Sequence, residues 1–140
     1  MNKRFGARAV GDGQIHRVLV VDDHPDAAEI TCLMLRALGH VCVAARSGEE
    51  GLAAAESLHP DIALLDIGMP DLSGYELARR LRLLFGPSLY LAAITGWGEG
   101  RDRELAFEAG FDDHVVKPAS GAVIREILGH AEHRVAAALS

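Results

Sequence analysis

The sequence predicts an α/β fold: a doubly wound parallel sheet of five strands, each followed by a helix. Two observations predict it. Short apolar runs alternate five times with segments of helical periodicity, and the joints between them are short. Polar residues of unlike chemistry, Asp22-Asp23, Asp66, Thr95 and Lys117, each follow an apolar run or close it. The 140 residues fit a single domain, and a hydrophobic fraction of 49% is enough for a core between a sheet and its helices.

The first strand is Arg17–Val21, closed by the acidic pair. Pro25 suits the first turn of a helix, and Ile30, Leu33, Met34, Ala37 and Leu38 recur at helical spacing up to Gly39. Val41–Ala45 is the second strand. Ser47 and Glu50 have the spacing of a capping box for a helix that carries Leu52, Ala55 and Leu58 and stops at Pro60. Asp61–Leu65 is the third strand, ending in Asp66, with a loop over Ile67–Leu72. Ser73 and Glu76 repeat the capping pattern, and Leu77, Leu81 and Leu84 form the inner face of a helix that ends at Gly86-Pro87. Leu89–Ile94 is the fourth strand. Gly96, Gly98 and Gly100 follow, then a helix from about Arg101 to Ala109. His114–Val116 is a short fifth strand broken at Lys117-Pro118, and the last helix buries Ile124, Ile127, Leu128 and Ala131.

Residues 1–16 read as a flexible tail, with Gly6, Gly11 and Gly13 and no periodicity, and residues 17–138 as the domain. The net charge of −6 leaves no basic footprint, so direct nucleic-acid binding is not expected. No segment is long and apolar enough to insert in a membrane, and the N-terminus lacks the apolar core of a signal peptide. Cys32 and Cys42 are the two cysteines, read as buried reduced thiols of a cytoplasmic protein.

Ligands of open parallel sheets bind outside the carboxyl ends of the strands. The acidic pair, Asp66, Thr95 and Lys117 end the first, third, fourth and fifth strands, whereas the second ends at Arg46-Ser47. Placing the acids together puts the second strand at the edge, giving the order 2-1-3-4-5. Three carboxylates in one crevice repel unless neutralised. Lys117 supplies one positive charge, and a hard divalent cation such as Mg2+ suits the oxygen donors. Asp66 is then placed to act as a nucleophile that forms an acyl phosphate. Thr95 and Lys117 are placed to bind phosphoryl oxygens.

Asp22-Asp23, the stretch Leu64-Leu65-Asp66-Ile67-Gly68-Met69-Pro70, Thr95-Gly96 and Lys117-Pro118 together resemble the receiver domain of two-component response regulators, from about Arg17 to Ala131. The resemblance implies a flavodoxin-like (βα)5 fold and a phosphorylation switch. It makes Asp66 the phosphoacceptor. It makes Asp23, Asp66 and the backbone carbonyl of Gly68 ligands of Mg2+ or Mn2+, with Asp22 acting partly through metal-bound water. It makes Thr95 and Lys117 the residues that sense the phosphoryl group. The implied donor is a phosphohistidine on a sensor histidine kinase or a histidine phosphotransfer protein. The implied output is a downstream protein bound at the face of the fourth helix, fifth strand and last helix. The sequence departs from the family pattern at His114, where an aromatic switch residue is common, at Gly68, and at Trp97.

Taken one at a time, these residues have plainer readings. The acid pair can cap a helix, Thr95 can be a turn hydroxyl, and Lys117 a solvated charge. His24, beside the acid pair, reads as an exposed loop residue, with tuning of the mouth of the site as the alternative; Arg79, Arg80 and Arg82 read as a solvated helix face, and His130 and His133 as a surface pair. Two other functions remain open beside the phosphorelay receiver. One is a receiver-like scaffold that binds partners without phosphorylation, suggested by His114 and Trp97. The other is an aspartyl phosphatase, which would need a second acid where Gly68 stands.

Overall fold

The computed structural model describes residues 14–69, 73–96, 106–117 and 119–139. Five strands, β1 (Arg17–Val21), β2 (Val41–Ala45), β3 (Ile62–Asp66), β4 (Tyr90–Thr95) and β5 (Asp113–Val116), form one sheet in the order β2-β1-β3-β4-β5. All four pairings are parallel. The helices α1 (Pro25–Ala37), α2 (Gly48–Leu58), α3 (Gly74–Phe85) and the C-terminal helix (Gly121–Leu139) run between or after the strands. The expected architecture and strand order are both observed. Most of the fourth expected helix, and with it Trp97, lies outside the described residues, which resume at 106 inside a helical turn closed by Gly110.

The pleat sorts each strand into two faces. Leu19, Val21, Ala63, Leu65, Leu91 and Ala93 pack with Ala55 of α2 and Leu77, Ala78 and Leu81 of α3. Val18, Val20, Ile62, Leu64, Ala92 and Ile94 pack with Ala28, Cys32 and Leu35 of α1 and with Ile124, Ile127 and Leu128 of the C-terminal helix. β3 and β4 are buried along their whole length because helices cover both sides, which is why they read as unbroken apolar runs. Both expected caps form: Ser47 accepts from the Glu50 N–H at 3.1 Å and Ser73 from the Glu76 N–H at 3.3 Å.

In α1, Ile30 and Leu33 are 56% and 60% exposed, and the inward stripe is Ala28, Cys32 and Leu35. Both stripes satisfy helical spacing, and packing decides between them. Three readings are corrected. Leu84 is likewise exposed, and Ala78 stands beside Leu77 and Leu81 on the inner face of α3. Cys32 and Cys42 are joined in a disulfide between α1 and β2, with Cα atoms 5.4 Å apart. They are ten residues apart in sequence, but the tight turn after α1 returns the chain alongside the helix. Arg82 does not belong to the solvated face. Arg79 and Arg80 pair with Glu76 at the surface, but the Arg82 guanidinium donates to the carbonyls of Gly86 (2.8 Å), Leu89 (2.6 Å) and Gly110 and to Asp112 Oδ2 (2.9 Å). It therefore ties the end of α3 to the start of β4 and to the turn before β5.

His16, read as the last residue of the flexible tail, is instead buried at the amino end of the sheet. Its Nδ1 lies 3.5 Å from Asp61 Oδ2 and its Nε2 3.3 Å from Glu132 Oε2. Its N–H donates to Nδ1 of His40 at 3.0 Å. Burial pulls the His16 pKa down, but the neighbouring carboxylate of Asp61, and then that of Glu132, outweigh this and hold the pKa above the usual histidine value. Burial and the nearby His16 hold His40 below 6.5. The same arrangement links the base of β3 to the C-terminal helix.

Two predictions follow from these contacts. Arg82→Ala is expected to lower unfolding stability by about 2–3 kcal/mol, the usual cost of losing charge-assisted bonds to partly buried carbonyls. Arg82→Lys should recover only part of it, because an ammonium cannot span four acceptors; urea unfolding measures both. The stabilisation from His16, whose folded pKa is raised, is fully present below about pH 6.5 and fades as pH rises through the folded value. His16→Gln should therefore cost more stability at about pH 5.5 than at about pH 8.5, and equal costs would refute this assignment.

Candidate functional site

Strand register assembles the site. Val21 pairs with Leu65, so Asp22 and Asp66 lie level at the ends of neighbouring strands. Asp66 pairs with Ile94 and Thr95 with Val116, which brings Lys117 round on the far side of β4. The Lys117 N–H donates to the Thr95 carbonyl at 2.7 Å, continuing the pairing beyond β5. The Lys117 ammonium then reaches across the strand ends, 3.4 Å from Asp66 Oδ2 and 3.9 Å from Asp22 Oδ2.

Each acid is held differently. Asp22 is buried, and its Oδ1 accepts the His24 N–H at 2.9 Å. The N-cap of α1 is His24, with no side-chain capping bond, so the acid pair does not serve as that helix's cap. Asp23 is about one-third exposed at the mouth. The Asp66 side chain is 6% exposed; its Oδ1 accepts the Gly68 N–H at 3.1 Å and its Oδ2 faces Lys117. Three carboxylates gather at these strand ends, and the Lys117 ammonium faces two of them, Asp66 and Asp22. Oxygen donors gathered in this way fit a hard divalent cation. Beside the acids, a pocket of about 550 Å³ opens between α1 and the start of the C-terminal segment, lined by Asp22, His24, Ile30, Ile94, Lys117 and Ala119.

Thr95 is buried at the end of β4, and its hydroxyl donates to the Val115 carbonyl across a long 3.4 Å contact. A weak bond of this length is readily exchanged for a better acceptor. His114 lies on β5 opposite Ala93, outside the acid cluster. Among the described residues, neither of its buried ring nitrogens has a hydrogen-bond partner.

One residue of the site, Gly74, was not legible as such in the sequence, and a second, His24, was read first as a loop residue. Gly74 starts α3 directly beneath the Asp66 loop: a Cβ there would stand 2.6 Å from the Asp66 carbonyl oxygen and 2.7 Å from Ile67 Cα. A side chain would push the helix away from the loop that carries Asp66. His24 is exposed, as expected of a loop residue, but its Nδ1 is 3.4 Å from Asp22 Oδ1 and from Asp23 Oδ1. Donor atoms of Asp22, Asp23, His24 and Asp66 all lie within 4.8 Å of one another. Its place next to the acid pair was the available signal. His130, read as a surface residue, pairs with Asp113 Oδ2 at 2.9 Å and ties the C-terminal helix to β5.

Comparison with known proteins agrees with this geometry. The family model of the response regulator receiver domain matches residues 18–129. The chain is 34% identical over 121 residues to the sensor histidine kinase RcsC of Escherichia coli, covering 86% of this chain and 13% of that protein. It is 39% identical over 109 residues to the probable transcriptional regulatory protein TcrX of Mycobacterium tuberculosis, covering 78% of this chain and 46% of that one. The chain thus spans less than half the length of both relatives. Among solved structures it resembles a CheY-like receiver domain protein from Methanospirillum hungatei, with a TM-score of 0.78, 27% identity, and coverage of 86% of this chain and 96% of that one. It also resembles FixJ-N, with a TM-score of 0.75, 32% identity, and coverage of 86% and 95%. With the acid crevice, strand order and matched residues in agreement, the chain belongs to the response regulator receiver domains, the signalling domains of two-component systems.

Proposed function

We propose that this receiver takes a phosphoryl group onto Asp66 from a phosphohistidine of a sensor histidine kinase or histidine phosphotransfer protein, and signals by altering a partner-binding face. The observation that carries this reading is the Lys117 ammonium set between Asp66 and Asp22. It holds the acceptor carboxylate in place and offers a cation to an incoming anion.

A carboxylate oxygen of Asp66 attacks phosphorus as the P–N bond to the donor imidazole breaks. The imidazole leaves with the bonding pair and takes a proton from solvent, and Asp66 becomes an acyl phosphate. Lys117 pairs with a phosphoryl oxygen in place of the carboxylate charge it has lost. The Thr95 hydroxyl gives up its long contact with Val115 for a phosphoryl oxygen. The β4–β5 connection then loosens at the strand that carries His114, which is how occupancy reaches the face of the fourth helix, β5 and the C-terminal helix. Asp22, Asp23, Asp66 and the main-chain carbonyl of Gly68 would hold Mg2+ or Mn2+, which when bound supplies the charge that lets an anionic phosphoryl group approach three acids.

A phosphorylation-independent scaffold is the second reading. The ring of His114 on β5, without a hydrogen-bond partner among the described residues, favours it, and the intact crevice favours the phosphorelay. A phosphatase would need an acid–base group two residues beyond Asp66, where Gly68 has no side chain.

Incubation with Mg2+ and a small phosphodonor such as acetyl phosphate should add one hydroxylamine-labile phosphoryl group per chain, read by intact mass. EDTA should abolish the incorporation, and Asp66→Asn should show none. Equal labelling of Asp66→Asn would remove Asp66 from its role, and absence of labelling in the native chain would favour the scaffold.

A further inference from the structure

We propose that His24 is a fourth side-chain ligand of the cation site, and that its imidazole biases the site toward Mn2+, Co2+ and Zn2+ relative to Mg2+. The proposal rests on the reading of Asp22, Asp23 and Asp66 as cation ligands, and concerns what the neighbouring imidazole adds to them.

The geometry is that of a donor set around one ion. His24 Nδ1 is 3.4 Å from Asp22 Oδ1 and 3.4 Å from Asp23 Oδ1. The four donor atoms, including one of Asp66, lie within 4.8 Å of one another. Donors bonded at about 2.1 Å to one cation stand roughly 3.0 Å apart when adjacent and roughly 4.2 Å apart when opposite. Closing the set by a few tenths of an ångström therefore brings all four onto a single ion.

The backbone fixes where this imidazole stands. The His24 N–H is held by Asp22 Oδ1 at 2.9 Å. The next residue is Pro25, which starts α1 and restricts the conformation of the residue before it. His24 is accordingly extended, with φ −89° and ψ 107°. Its ring is 72% exposed, so it can turn onto the ion without breaking a packed contact.

Ligand chemistry then sets the preference. Mg2+ is hard, sheds water reluctantly and gains little from a nitrogen donor. Affinity for imidazole rises from Mn2+ through Co2+, and Zn2+ also takes it readily. An oxygen-only set follows the same order with smaller differences. The rival arrangement keeps the ring off the ion, as a partner of the two carboxylates alone.

Pulsed electron paramagnetic resonance of Mn2+ bound to the native chain, with Mg2+ competition, tests the proposal without reference to phosphorylation. One Mn2+ per chain should show nitrogen-14 modulation from a directly bound imidazole. His24→Gln should still bind Mn2+ but lose the modulation, and its Mn2+ over Mg2+ preference should fall by about tenfold or more. The same modulation persisting in His24→Gln would mean another histidine is bound, and would overturn the proposal. Stoichiometric Mn2+ without nitrogen modulation in the native chain would overturn it and leave the carboxylate site standing. No stoichiometric Mn2+ in either chain would overturn the carboxylate site as well.

Discussion

The structure depends on one constraint: the parallel register that forces Asp22 and Asp66 to the same level at adjoining strand ends. Left in water, two carboxylates would move apart. Here β1 and β3 are buried in the sheet and held by its ladder, so the charges cannot separate without breaking it. The resulting negative potential is fixed by the core. Lys117 answers part of it, and does so from the far side of β4, because its own N–H is pinned to the Thr95 carbonyl. The site is thus sensitive to anything that alters charge at Asp66. The side chain that would respond belongs to the segment just after β5.

The surrounding contacts keep this crevice rigid where the acids sit and leave it looser toward β5. Gly74 lets α3 begin against the Asp66 loop, and Arg82 locks the other end of α3 to the start of β4 and the turn before β5. On the opposite face, the disulfide joins α1 to β2, and His16 and His130 attach the C-terminal helix to the base of β3 and to β5. Against these, the Thr95–Val115 contact is long, and His114 lacks hydrogen-bond partners among the described residues. A rigid acid cluster beside the long Thr95–Val115 contact is an arrangement in which a local charge change can reach β5 through one exchangeable hydrogen bond.

Most of this was legible in the sequence where burial is two-sided. β3 and β4 are continuous apolar runs because neither face meets water, and each closes in or just before a polar residue whose chemistry the site needs. The order of strands followed from which of them end in acids. What could not be read depends on choices between equivalent patterns. α1 offers two helical stripes, and which one faces the sheet is settled by packing against β1 and the C-terminal helix. The pairing of Cys32 with Cys42 depends on how tightly the chain turns after α1. Arg82 is one of three arginines in a row of four residues, and only the position of the Gly86–Leu89 and Gly110 carbonyls distinguishes it. His24 looks like any loop histidine until the Asp22 side chain is seen to hold its backbone.

Mg2+ titration followed by backbone amide NMR shows whether residues from four strand ends act as one cation-binding crevice. Amides at Asp23, Ile67, Gly68, Thr95 and Lys117 are expected to shift together, with one saturating affinity at one ion per chain. Shifts confined to the Asp22-Asp23 turn, or a linear unsaturated drift at every acidic residue, would contradict it.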